Sequence, residues 1–374
     1  MRSASPPRPD RLMLRGQAVP GFRRPLVALV GIVALIGTAC GSAAPTSNAG
    51  ASGAAGSGAL SGTIRLGYFP NITHATAIVG VEGGLFQKAL GPGVTFEPKS
   101  FNAGPAASEA LLSGAIDATC IGPNPAINAF AKSGGSAIRI IAGATSGGAA
   151  LVVKPDISSA AQLKGRKLAT PQLGNTQDVA LRTWLADNGL QTDPTGGGDV
   201  TILPQDNAQT LQTFSSGQID GAWVPEPWAT RLVQEGGGKV LVDERSLWPD
   251  GRFVTTHLVV RTDVLTAHPD LVSALLAGDL AANDFVNSDP ARAQQLTNQG
   301  IEKITGKRIA DQVMAAAWPN LTFTVDPIAS SLQTSADHAV RVGLLDRVDL
   351  SGIYDLRILN ELLAKEGRAT VASR

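Results

Sequence analysis

Residues 113–126 read SGAIDATCIGPNPA, and residues 216–229 read SGQIDGAWVPEPWA. The two stretches align without a gap and share the frame Ser-Gly-x-Ile-Asp, then an apolar run, then prolines. The likeness extends outward on both sides. Around the first copy, apolar spacing predicts strands at 93–101, 115–121 and 137–143, separated by helices at 104–114 and 125–134. Around the second it predicts strands at 199–204, 218–224 and 239–244, separated by helices at 206–217 and 226–237. Two βαβαβ units follow, each implying a mainly parallel sheet with helices on its faces. Gly114 and Gly217 stand where a helix must stop and turn into a strand, a place that favours a left-handed residue. Asp117 and Asp220 are expected to satisfy backbone donors at the start of their strands.

A second doubling, LVVKPD at 151–156 and LVVRTD at 258–263, reads as the pair of strands that carry the chain out of one lobe and back. The expected plan is lobe I over 63–150, a crossover at 151–157, lobe II over 158–252, and a return crossover with C-terminal helices packing on lobe I over 253–374. Helical spacing in the last part falls at 268–287, 290–299 and 306–318.

The start of the chain has a different character. Residues 2–24 hold six arginines and one acid, and LVALVGIVALIGTA at 26–39 carries no charge. A basic segment before a short apolar run predicts a cleaved secretory signal at 1–39, with Met1 or Met13 as the start; the run is shorter than the roughly 20 residues of a membrane span. Cys40 follows in the context IGTAC-GS, which resembles a bacterial lipobox with Gly37 where Leu usually stands. Lipidation at Cys40 would fix the chain to the outer face of the cytoplasmic membrane; without it the product is a free exported protein. Residues 40–62, almost entirely Gly, Ala and Ser after the cysteine, form a flexible tether.

Acids and bases balance at 31 each. Removing residues 1–39, with six of the bases and one acid, leaves 25 bases against 30 acids, which gives no footprint for nucleic acid. The only other cysteine, Cys120, lies in an apolar run and reads as a packed core residue. Neither a disulfide nor a cysteine metal site is expected.

In open parallel sheets, ligands bind beyond the carboxyl ends of the strands. Both opening stretches put their prolines there, so two facing lobes would close on one cleft. The loops that reach it are YFPNITHA (68–75), with Tyr68, Pro70, Asn71 and His74; GPNP (122–125), with Asn124; and ATSGG (144–148), with Ser146 and Gly147. From lobe II come PQLGNTQD (171–178) and VPEPW (224–228). Asn175, Thr176 and Gln177 open a helix, so unpaired N–H groups and the positive end of its dipole suit an oxyanion, although Asn175 or Thr176 could equally cap its own helix. Tyr68, Phe69, Trp223 and Trp228 are candidate walls, whereas Trp184 at helical spacing reads as core. Glu226 can pair with a ligand ammonium or favour a helix start. His74 and His257 can donate to an anion or serve as structural residues.

With GYFPNITHATAIVGVEGGLF, SGAIDATCIGPNPA, KLATPQLGNTQDVALRTWL, IDGAWVPEPWA and LVVRTDVLTAHPDLV in view, the chain resembles the substrate-binding proteins of ABC importers for nitrate, taurine and aliphatic sulfonates, a family that also includes thiamine-precursor binders. The resemblance covers roughly residues 63–345. It implies a two-lobed clamshell of the type II periplasmic-binding-protein kind, a small anionic ligand, delivery to a membrane permease with its ATPase, and a monomeric carrier without a cofactor or metal. It places ligand contacts in the Tyr68–His74 loop, at Asn124, Ser146 and Gly147, at Asn175–Gln177, and near Trp223–Trp228. The chain shows no G-x-S-x-G elbow, histidine pair at metal-ligand spacing or P-loop, so an enzyme on this fold is the weaker reading. The same residues could also serve a binder of pyrimidine precursors or a ligand sensor.

Overall fold

The computed structural model of the protein describes residues 60–373. The signal segment, Cys40 and nearly all of the tether lie outside the described residues. Strands run at β1 Gly62–Tyr68, β2 Val94–Ser100, β3 Ala118–Ile121, β4 Ile138–Gly147, β5 Ala149–Val153, β6 Lys167–Thr170, β7 Thr201–Pro204, β8 Gly221–Pro225, β9 Lys239–Asp243, β10 Val254–Arg261 and β11 Leu321–Phe323. Helices run at α1 Ala75–Glu82, α2 Leu85–Leu90, α3 Gly104–Leu112, α4 Pro123–Lys132, α5 Thr176–Asp187, α6 Asn207–Ser215, α7 Trp228–Gln234, α8 Thr262–Ala267, α9 Pro269–Ser288, α10 Pro290–Thr305, α11 Asp311–Ala317, α12 Ser330–Arg341 and α13 Arg357–Lys365.

The strands form two sheets, ordered β11-β4-β10-β3-β1-β2 and β7-β6-β8-β5-β9. Leaving out β11, the orders superpose: β2-β1-β3-β10-β4 answers β7-β6-β8-β5-β9. Within each sheet the first three strands are parallel, and one strand, β10 or β5, enters antiparallel to both its neighbours. That antiparallel strand is the doubled LVV-containing run. The two copies therefore lie inside the sheets at matching positions rather than between the lobes. The chain crosses earlier, at Gly147–Gly148, where two consecutive glycines adopt φ of 76° and 73°, and again between Asp243 and Val254.

Gly114 and Gly217 have φ of 75° and 74°, as a helix-to-strand reversal requires. Asp117 and Asp220 do accept backbone N–H groups, but from the neighbouring strand: Arg65 N–H at 2.8 Å and Lys167 N–H at 2.8 Å. Each carboxylate also takes an arginine, Arg65 or Arg166. The repeated Ile-Asp thus clasps the third strand of each sheet to the first.

Apolar side chains fill both faces of both sheets. Phe86, Leu275, Leu276 and Cys120 belong to the layer under α1, α2 and α9–α11, and Ile127, Phe130 and Leu332 to the layer under α3, α4 and α12. Trp223, Leu181 and Leu185 pack one face of the second sheet, and Phe214, Val224 and Leu232 the other. The C-terminal helices α9–α11 match the expected helical segments, with α11 starting at Asp311 rather than Gly306. Among the described residues no helix is long and apolar enough to cross a membrane.

Asp279 on α9 is buried with neither carboxyl oxygen hydrogen-bonded, and burial pushes its carboxyl up to about 7. The folded chain therefore keeps a proton that the unfolded chain, with its ordinary carboxyl near 3.8, has released. Asp279 lowers stability progressively as pH rises between those two values. Asp279→Asn is expected to be more stable than the native chain above neutrality, with the difference shrinking toward pH 4; urea midpoints at the two ends of the range check this.

Candidate functional site

The carboxyl ends of β1, β2, β3, β6, β7 and β8 meet around one cleft, together with the start of the antiparallel β10. Its lining comes from Phe69, Asn71, Thr73 and His74 after β1, Asn102 and Ala103 after β2, Gly122 after β3, and Thr255 and Thr256 on β10. From the other sheet come Pro171, Asn175, Thr176 and Gln177 after β6, Asn207 after β7, and Pro225 at the end of β8. About 350 Å³ of atom-free space lies between them, part of it on the open side. The enclosed part is about 20 Å³, little more than one water molecule needs, so the lobes stand close together here.

No charged side chain lines this cleft. The first basic residue after the Asn175 loop, Arg182, points inward: its Nε donates to Asp178 Oδ2 at 3.1 Å, and both side chains are buried. Asp178 also accepts the Thr170 hydroxyl at 2.9 Å and the Gly174 N–H at 3.0 Å, which fixes the loop leading into α5. His74 Nδ1 accepts the Phe69 N–H, and burial holds the ring neutral by lowering its pKa to about 3.

The field in the cleft therefore comes from peptide dipoles. Asn175 is the residue before α5, yet its side chain makes no cap bond; its Nδ2 donates to Gln177 Oε1 at 2.8 Å instead. The N–H groups of Thr176 and Gln177 have no acceptor among the described residues. The starts of α4 and α6 border the same space, at Gly122 and Asn207, again without a side-chain cap. The starts of three helices thus border one volume lined by no charged side chain; α4, opening Pro123-Asn124-Pro125, brings only the Asn124 N–H, while α5 leaves those of Thr176 and Gln177 unpaired.

Of the residues singled out from sequence, Phe69, Asn71, His74, Asn175, Thr176 and Gln177 come together here. Pro70 and Trp228 line a larger outer groove of about 500 Å³ that shares Asn71, Asn102 and Asn207 with the inner cleft. Trp228 reaches back across the lobes, its Nε1 donating to Asn71 Oδ1 at 2.9 Å. Glu226 lines a separate hollow and is tied to Thr230 and to Asn320 Nδ2 at 2.7 Å.

The remaining candidates face elsewhere. Tyr68 packs in the core because alternation along β1 turns it beneath the sheet. Trp223 is fully buried under the second sheet, its indole bonded to Glu244 at 2.7 Å. Asn124 Nδ2 donates to the Ser335 carbonyl at 3.0 Å, and His257 Nε2 is bonded to the Pro327 carbonyl. Ser146 and Gly147 end β4 and pair with Thr322 and Leu321 of β11. Asn102 and Asn207 were not among the sequence candidates. The signal that would have found them is the carboxyl-end rule applied to β2 and β7 as well as to the first and third strands of each unit.

The NMT1-like family model matches residues 58–299. The bicarbonate-binding protein CmpA of Synechococcus is 26% identical over 260 residues, covering 62% of this chain and 55% of the relative. The taurine-binding periplasmic protein of Escherichia coli is 28% identical over 201 residues, covering 53% of this chain and 59% of the relative. Among solved structures, the alkanesulfonate-binding protein SsuA of Xanthomonas axonopodis pv. citri, bound to MOPS, superposes with a TM-score of 0.65 at 20% identity, covering 78% of this chain and 96% of that one. These relatives are binding proteins, and the shared architecture is the periplasmic-binding-protein fold.

Because His74 gains its proton only near pH 3, its ring is expected to stay neutral across the physiological range. NMR shifts of the His74 ring should not move between pH 8 and pH 5, where an ordinary histidine titrates.

Proposed function

This chain belongs to the NMT1-like family, and from that membership we propose that it is the extracytoplasmic solute-binding component of an ABC importer, capturing a small oxyanion between its lobes. The observation that carries the reading is the start of α5. Thr176 and Gln177, whose N–H groups are unpaired at a helix terminus, line a cleft without any charged side chain. Such a site stabilises an anion through fixed dipoles and does not require a counter-ion. It offers nothing to a cation, since no carboxylate lines it.

Affinity of the size a carrier needs is within reach of so small a site. A micromolar dissociation constant corresponds to about 8 kcal/mol, and the best small ligands gain up to about 1.5 kcal/mol per heavy atom. Six or so well-placed atoms therefore suffice without covalent chemistry. The binding proteins among the relatives support a carrier rather than an enzyme. The ligand class we assign is a small oxyanion, an aliphatic sulfonate or nitrate, handed to a permease and, through it, to the cytoplasmic ATPase. Cys40 is the lipid attachment that holds this monomeric carrier at the membrane, with residues 41–62 as its tether.

Calorimetry of the mature chain against methanesulfonate, taurine, nitrate, hydrogencarbonate, a pyrimidine precursor and ethanolamine tests the reading. Micromolar binding of at least one oxyanion and none of ethanolamine is expected. Binding confined to uncharged or cationic ligands would refute it. For methanesulfonate, whose charge is constant, the affinity is expected to vary less than about twofold from pH 5.5 to pH 8, because no group lining the cleft titrates there. Cys40→Ala is expected to move the protein from the membrane fraction to the soluble fraction.

A further inference from the structure

Gly122 precedes α4 with φ of −71° and ψ of 162°, a conformation open to any residue. Its own backbone does not require glycine. The requirement comes from the opposite lobe: a Cβ at this position would sit closer than 3.0 Å to Thr176 Oγ1, with Thr176 Cβ next at 3.4 Å and Thr255 O at 3.5 Å. Thr176 Oγ1 is itself buried and has no hydrogen-bond partner among the described residues. The hydroxyl of Thr176 therefore rests on the bare Cα of Gly122 as a spacer. Beside it, a Cβ on Gly104, the first residue of α3, would meet Pro125 of its own lobe first and then Asn175 Oδ1 at 3.0 Å, so α3 touches the start of α5 as well. The start of α5 is seated on the starts of α3 and α4, and that seat fixes how far apart the inner walls stand.

The outer edge of the cleft is joined as well. Trp228 Nε1 donates to Asn71 Oδ1 at 2.9 Å, and Asn102 Nδ2 to Asp206 Oδ2 at 3.4 Å. Both bonds run between the lobes. Asn71, Asn102 and Asn207 line the inner cleft on one side and the outer groove on the other, so they form the partition between the two spaces. A chain that leaves a ligand headgroup at α5 toward the outer groove has to pass this partition and part those bonds.

We propose that the cleft closes only over a compact oxyanion without an extended tail, its depth set by the Thr176–Gly122 seat and its outer wall by the Trp228–Asn71 and Asn102–Asp206 bonds. This rests on the oxyanion reading above and narrows it to hydrogencarbonate, nitrate and sulfonates of one or two carbons. Longer alkanesulfonates leave the lobes apart, losing the contacts that closure adds.

The test titrates the mature chain with hydrogencarbonate, nitrate and a series of n-alkanesulfonates from one to eight carbons, with small-angle scattering to follow closure. Affinity is expected to fall at least about tenfold between the two-carbon and four-carbon members, with compaction only for the short ones. Gly122→Ala is expected to weaken the best ligand at least about tenfold and to abolish compaction, because the new methyl meets Thr176 Oγ1. Adding Thr176→Ala to Gly122→Ala removes that oxygen, keeps the backbone N–H and restores binding, a rescue that damage to folding would not allow. Octanesulfonate binding as tightly as methanesulfonate, or Gly122→Ala closing like the native chain, overturns the size limit alone. Failure of every oxyanion to bind overturns the oxyanion reading and the size limit with it.

Discussion

The cleft depends on helix starts whose N–H groups are left unpaired. A helix leaves its first N–H groups without intrahelical partners, and most chains satisfy them with a side-chain cap. Here the residue before α5, Asn175, turns its amide to Gln177 instead. The charge that could have neutralised an anion directly, Arg182, is held inward by Asp178. The same Asp178 accepts the Gly174 N–H, so one buried carboxylate both shapes the loop and keeps the guanidinium out of the cleft. What remains facing the ligand space is polar, neutral and directional.

That arrangement suits capture followed by release. A buried ion pair between ligand and protein would hold tightly and leave a costly unpaired charge on departure. Dipoles spread over several N–H groups bind an oxyanion without leaving such a charge behind. The polar contacts between the lobes include Trp228 to Asn71, Asn102 to Asp206, Asn320 to Glu226 and an exposed ion pair between Arg341 and Asp187, which solvent screens. A hydrogen bond of this kind contributes about 1 kcal/mol net. Contacts of that size do not by themselves commit the lobes to one another, which leaves the ligand to tip the balance.

The body behind the cleft is built twice from one plan. In each sheet the Asp of the repeated phrase clasps the third strand to the first, Asp117 on Arg65 and Asp220 on Lys167. In each sheet the next place is filled by an antiparallel strand from the segment that has just crossed over, β10 or β5. Each lobe thus contains a strand entered directly from the other, and the two jaws share their connections as well as their design. The helices α9–α11 then cover one face of the first sheet, a covering the second sheet does not receive from them.

Much of this was legible in the chain itself. The paired Ser-Gly-x-Ile-Asp phrases, the periodicities around them and the doubled LVV runs announce two like α/β units, because local spacing and helix-ending glycines are dictated by neighbouring residues. The loop of Asn175, Thr176 and Gln177 was also readable, since an uncovered helix start is a local feature. The sequence did not reveal which way individual side chains face: Tyr68 and Trp223 turn into the cores, while Asn102 and Asn207 turn into the cleft. Nor did it carry any sign that Gly122 must lack a side chain, because the atom that would meet one belongs to Thr176, 54 positions away in the other lobe. Alternation and capping act within a few residues, whereas the fit of two surfaces is set only once both lobes have folded and met.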